Sequence, residues 1–231
     1  MINLKNVKSS EIFSRFSGPI TTGTSIVGVK YDKGVIIAGD MLVSYGNLAR
    51  YHNVDRVFNI NENIVIGISG DYADFQFLKQ IIDETILADF SMDDKIALKP
   101  KDLYTWLTRV LYNRRSKFQP LWVDMVVGGM QYDKSFLGHI NFRGRAYTND
   151  VISTGFGTHL ALPLLREFSE KGELDETTAQ DLIKKSMEVL FYRDCRGYSR
   201  YSQANINGEG CTVTKHDVDQ NWEVAYRIKG Y

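Results

Sequence analysis

Two apolar runs, "TSIVGVKY" from Thr24 to Tyr31 and "GVIIAGD" from Gly34 to Asp40, meet at the triplet "DKG". β-Branched and small residues alternating on both sides of an Asp-Lys-Gly turn predict a hairpin. "VFNINENIVIGISGD", Val57 to Asp71, repeats the arrangement around "NEN" and stops at Gly70-Asp71, so four strands are expected before any helix. The period then changes. In "DYADFQFLKQIIDETILADF" the positions Phe75, Leu78, Ile81, Ile82, Thr85 and Ile86 recur at helical spacing, and acids near the start suit the helix dipole. "PKDLYTWLTRVLYNRRSKF" predicts a second, antiparallel helix entered at Pro100 and ending on basic residues.

Strand-like pattern returns in "DMVVGGMQYDKSFLGHINFRGRAY", with "YDK" and "FRG" as turns. A second helix pair is expected over "GTHLALPLLREFSEKG", with Pro163 near its start, and "DETTAQDLIKKSMEVLFYRD", with Asp175 as N-cap and Thr178 at N3. "YSQANINGEGCTVTKHD" and "NWEVAYRI" read as closing strands around Gly-rich turns. Strands, two helices, strands, two helices, strands: such blocks argue for an α+β fold over strict βαβ alternation. The expected architecture is a four-layer α-β-β-α sandwich, two antiparallel sheets packed face to face with a helix pair outside each.

A chain of 231 residues, 43% hydrophobic and 24% charged, fits one folded domain and not a disordered one. Its 28 basic side chains balance 28 acidic ones, which argues against a bulk nucleic-acid or membrane-surface binder and removes one brake on self-association. Cys195 and Cys211 lack CxxC spacing, and His52, His139, His159 and His216 are dispersed, so neither a metal site nor a disulfide framework is indicated and no cofactor is expected. No apolar run approaches the ~20 residues that span a bilayer. The opening "MINLKNVKSSEIFSRFSG" is broken by charges and is no secretory signal; residues 1–23 read as a leader, partly removed, ahead of one domain over 24–231.

The candidate chemistry centres on Gly23-Thr24. A threonine becomes a strong nucleophile when the bond before it is cut, because its own freed amine, titrating near pH ~8, can then take the hydroxyl proton. The "GT" ahead of a strand, followed by this order of elements, resembles the N-terminal-nucleophile hydrolases and, within them, the proteasome β-subunit family, from Gly23 to about Ile228. The resemblance carries Asp40 to the family's acidic site residue, Gly70 in "SGDYAD" to the oxyanion donor and Asp194 in "YRD" to the aspartate near the nucleophile. It also exposes three departures. Arg56 stands where active members have a lysine, Phe156 in "GFGT" replaces a serine, and Gly197 replaces another. Arginine is bulkier than an ammonium and stays protonated, so it cannot do the lysine's work. Thr24 therefore reads as the relic of a nucleophile, with Phe156 placing an apolar ring where water should sit and Arg56 pairing with Asp40.

"SYGNLARY", "SGDYADFQ", "RRSKFQPLW" and "YRDCR" resemble the non-catalytic branch of that family most. The segment with Arg114, Arg115, Lys117, Pro120, Leu121 and Trp122 reads as a partner contact, and Tyr231 as the end of a short C-terminal arm. The resemblance implies a structural subunit in a twenty-eight-subunit, four-ring core of α and β subunits, contacting regulatory particles indirectly, in cytoplasm and nucleus. Two other readings stand beside it: an active threonine peptidase using Thr24, and a free-standing binding protein of the same fold.

Overall fold

The computed structural model describes residues 18–92, 97–170, 172 and 174–223. Among these, thirteen strands form two wholly antiparallel sheets. In chain order they are β1 (Thr21–Gly23), β2 (Ile26–Tyr31), β3 (Gly34–Asp40), β4 (Leu42–Tyr45), β5 (Leu48–His52), β6 (Val57–Asn61) and β7 (Ile64–Asp71), then β8 (Val123–Gln131), β9 (Lys134–Ile140), β10 (Ala146–Thr148), β11 (Val151–Ser153), β12 (Arg200–Asn207) and β13 (Gly210–Asp217). One sheet runs β10-β9-β8-β7-β1-β4-β5, with β6 also on β7; the other runs β11-β2-β3-β12-β13.

Seven strands, not four, precede the first helix. The two expected hairpins are β2–β3 and β6–β7; β1, β4 and β5 carry too few alternating apolar residues to be seen as strands, and they become so through serial pairing, β1 on β7, β4 on β1 and β5 on β4. The β8–β9 turn takes the "YD" of the expected "YDK", with φ near 51° at Tyr132 and 59° at Asp133, the geometry of a two-residue hairpin loop.

Helices α1 (Tyr72–Met92) and α2 (Pro100–Ser116) cover the first sheet. Phe75, Leu78 and Ile82 of α1 share one core with Leu103, Leu107 and Leu111 of α2 and with Ile64, Ile66 and Met125 of the sheet. Arg114 at the end of α2 lies over Phe77 at the start of α1, as antiparallel neighbours require. The second sheet is covered by α3 (Gly157–Leu160), α4 (Leu162–Ser169) and α5 (Glu176–Arg193). The helix expected from Gly157 is thus two pieces parted at Ala161, because Pro163 has no N–H to give the carbonyl of His159. Asp175 caps α5 by accepting from the Thr178 amide at 3.3 Å. Of the closing "NWEVAYRI", Asn221 to Glu223 are not strand, and the rest lies outside the described residues.

Between the sheets, Ile26, Val35, Ile37, Val65, Val126 and Leu137 form a third core. His139 sits at its end, buried, its ring 5.0 Å from Tyr147 and its Nδ1 without a partner. Burial, reinforced by the Arg145 guanidinium, holds the imidazole down at about 4. The unfolded chain takes up this proton near pH ~6.5, before the folded one does. Stability from this group is full above that pH and is lost as pH falls toward about 4, by about 3 kcal/mol in all. Urea titrations at pH 7 and pH 4.5 check this: His139→Phe is expected to flatten the difference, and an unchanged pH slope would exclude His139 as its source.

Candidate functional site

Thr24 falls in the gap between β1 and β2 rather than inside the first strand. The β2–β3 register, which pairs Ile26 with Gly39, carries Asp40 at the end of β3 opposite the Thr24–Ser25 turn. Thr24 Oγ1 donates to Asp40 Oδ2 at 3.0 Å. Arg56, immediately before β6, enters this space from the first sheet and is 1% exposed. Its Nε donates to the Asp40 carbonyl at 2.9 Å. Nη1 donates to the carbonyls of Thr24 at 2.9 Å and Ile68 at 3.0 Å, and Nη2 to the Ser25 carbonyl at 3.3 Å. Nη2 also pairs with Asp40 Oδ1. The guanidinium fork thus ties the end of β3 and the middle of β7 to the β1–β2 link that carries Thr24, which a compact ammonium cannot do.

Burial pushes the Asp40 carboxyl above the usual carboxylate range; the Arg56 charge and the Thr24 hydroxyl pull it back, and nearby Asp194 adds to the rise. Asp194 ends α5, and its Oδ1 accepts from the Arg196 amide at 3.0 Å. Thr24, Asp40, Asp194 and Gly197 line one crevice with Ser25, Met187, Leu190, Phe191 and Tyr198, of about 10 Å³. A single water needs ~10–15 Å³ of such space, so the crevice is about the size of one water.

Gly197 borders that crevice in a turn closed by its amide on the Asp194 carbonyl at 2.9 Å. A Cβ there would lie 2.8 Å from the Leu190 carbonyl oxygen and 3.0 Å from that of Asp194. The local backbone therefore has no room for the hydroxyl-bearing side chain that the resemblance places at this position. Phe156 behaves otherwise than expected: it is 64% exposed and does not line the crevice. Gly155, at φ 56°, turns the chain into α3 so that the Phe156 ring faces solvent, and Phe191 and Tyr198 occupy the side of the crevice instead.

Gly70 lies on β7 at φ 88°, paired with Gly23 of β1 on one side and Val123 of β8 on the other. β1 runs between β4 and β7 directly ahead of Thr24, so the main-chain edge around Gly70 faces this chain's own residues. Asp71, which the sequence marked only as a strand end, fastens this strap: Oδ2 accepts from the Ile20 amide at 2.8 Å, while Oδ1 accepts from Ala73 at 2.8 Å and caps α1. Arg196 adds a bond from Nη1 to Thr22 Oγ1 at 3.2 Å. A buried hydroxyl relay also went unnoticed in the sequence: Ser69 donates to Thr154 Oγ1 at 2.9 Å, which accepts from the Ile26 amide at 2.9 Å, and Ser25 Oγ accepts from Gly157. Serines and threonines in strands carry no signal of such long-range pairing. Asp71 could have been found, since an acid between a strand and a helix is a capping signature.

The expected contact segment is divided. Arg114 lies 5.5 Å from the Phe77 ring and Arg115 5.6 Å from that of Tyr112, while Lys117 is exposed at the end of α2. Pro120 is half-buried, and Trp122 stacks on Phe142 while its amide donates to Asp74. Leu121 is buried in the core under α1 and α2, so it anchors the segment and has no surface to offer a partner. Tyr231 lies outside the described residues.

The family model described as "Proteasome subunit" matches residues 20–206. The chain is 47% identical over 215 residues to proteasome subunit beta type-4 of Xenopus laevis, covering 92% of this chain and 89% of that one. It is 48% identical to proteasome subunit beta type-4 of Drosophila melanogaster, covering 91% and 80%. It is 40% identical to proteasome subunit beta type-7 of Saccharomyces cerevisiae, covering 92% and 85%.

Proposed function

Because the chain belongs to the proteasome subunit family, we propose that it is a non-catalytic β subunit of the 20S core, the type-4 or type-7 position by the names of its relatives. It serves ATP- and ubiquitin-dependent degradation by building the ring and the chamber wall while neighbouring subunits cut peptide bonds. Its partners are the other α and β subunits of the four-ring core, with regulatory particles reached indirectly, in cytoplasm and nucleus.

One observation carries the non-catalytic reading: the Arg56 guanidinium is spent on four backbone carbonyls and the Asp40 carboxylate around the segment that holds Thr24. A guanidinium stays protonated near neutral pH and so cannot take the Thr24 hydroxyl proton, and the carboxylate that accepts from Thr24 Oγ1, Asp40, is held in an ion pair with Arg56. The 10 Å³ crevice and the strap formed by β1 support the same conclusion.

The test is intact mass of every subunit after the assembled core is treated with an electrophile that reacts with a threonine hydroxyl and its free α-amine. Catalytic neighbours are expected to gain the probe's mass and this chain to gain nothing, with its N-terminus upstream of Thr24. A chain that begins at Thr24 and carries the probe overturns the non-catalytic reading.

A further inference from the structure

The β4–β5 hairpin projects from the open edge of the larger sheet. All five residues of β5 are exposed, and no described strand pairs with its outer side. An open edge on a free-standing protein is usually blunted by lysine, proline or a covering loop. Here it carries large apolar groups: Leu48 is 59% exposed, Tyr45 47% and Tyr51 41%. The pairing of Tyr45 with Leu48 and of Val43 with Tyr51 puts Tyr45, Leu48 and Tyr51 on one side of the ribbon.

Arg50 lies between the two tyrosines, its guanidinium 5.8 Å from the Tyr45 ring and 5.4 Å from the Tyr51 ring. Among the described residues no carboxylate pairs with it. Tyrosine and arginine packed together are the residue types that anchor protein interfaces, because each brings large area at little entropic cost. The hairpin is also held at both ends: at its turn Arg196 Nη2 donates to Asn47 Oδ1 at 3.3 Å, and at its base His52 packs 5.2 Å from the Tyr198 ring. The chain therefore spends contacts on holding out a surface that it does not itself cover.

We propose that this hairpin docks an adjacent proteasome subunit through an extended segment of that subunit, which lies along β5 and presents an aspartate or glutamate to Arg50. The charge points to the partner's chemistry: a guanidinium that lies near two rings and pairs with no described carboxylate can offer its N–H groups for bidentate bonding to one. The open backbone of β5 suits an extended partner, by strand addition. The inference rests on the assembly of this chain with other proteasome subunits.

The experiment places a photo-cross-linking residue at Leu48 and, separately, makes Arg50→Glu and Arg50→Lys in the full chain expressed in cells that assemble the core. The wild-type chain is expected in the high-mass complex, the Leu48 cross-link is expected on an acidic peptide of another proteasome subunit, and Arg50→Glu is expected to lower incorporation about tenfold, with Arg50→Lys in between. The melting midpoint of the unassembled Arg50→Glu chain is expected to match the wild type, since Arg50 touches only two exposed rings. A wild-type chain that stays out of any complex overturns the functional reading and this inference together. If the wild type enters, then equal incorporation of Arg50→Glu, a cross-link to residues 1–17 of the same chain, or a cross-link to a protein outside the family overturns this inference alone.

Discussion

Replacing Arg56 with alanine is expected to cost about 3–5 kcal/mol, the range for removing one partner of a buried ion pair. In a domain of this size that lowers the melting midpoint by about 10 °C. The reason lies in what the side chain leaves behind. Asp40 stays buried without a counter-charge, and the carbonyls of Thr24, Ser25, Asp40 and Ile68 each lose a donor. The loss is expected to shrink toward acidic pH, where Asp40 can take a proton and sit neutral. Arg56→Lys keeps the charge but offers three donors from a single point, so it should recover only part of the stability. Thermal unfolding of the three chains, with incorporation into the high-mass complex as a second readout, checks this. An Arg56→Ala chain that assembles and melts like the wild type would show that Arg56 does not hold the strand ends.

The second large effect is expected at Gly70. An alanine Cβ there would lie 2.3 Å from the Trp122 carbonyl oxygen, and the backbone sits at φ 88°, a conformation that disfavours any side chain. That oxygen cannot move aside, because it accepts from the Asp71 amide at 2.7 Å. Positive φ costs about 1–3 kcal/mol and forced overpacking a similar amount, so Gly70→Ala should lose about 3–4 kcal/mol in urea titration. If Gly70 still served as an oxyanion donor, its substitution would alter turnover by the assembled core. In the structural reading, peptidase activity per assembled core stays unchanged while the yield of assembled core falls. A Gly70→Ala chain as stable as the wild type would mean that the β7–β8 junction relaxes to admit the side chain.

Much of the architecture was written locally. The alternation in "SIVGVKY" and "GVIIAGD", the helical spacing of Phe75, Leu78 and Ile82, and the cap at Asp175 each depend on neighbours a few residues away, and each became the element expected. The failures have more than one cause. β1, β4 and β5 are short, and they are strands through pairing in series, β1 on β7, β4 on β1 and β5 on β4. The break at Ala161 follows from Pro163, which sits too far from the start of the run to be absorbed by a single helix.

At the site, the residue types in the chain were enough to raise the expectation of an incomplete proton network. Arg56 in place of an ammonium could be read without coordinates, because charge and shape belong to the side chain itself. Where each group would sit could not. Thr24 meets a carboxylate 16 positions away and a guanidinium 32 positions away, while Phe156, expected beside them, turns outward into solvent. Leu121 was expected at a surface and lies in a core. The sequence by itself determined the main hairpins and helices and the family to which the chain belongs. Only the tertiary structure decided that one arginine would join β3 and β7 to the link carrying Thr24, that the residues before Thr24 would become a strand of the sheet, and that the crevice beside it would be small. Those outcomes depend on desolvation and on register between distant segments, and neither quantity is a property of any local stretch of chain.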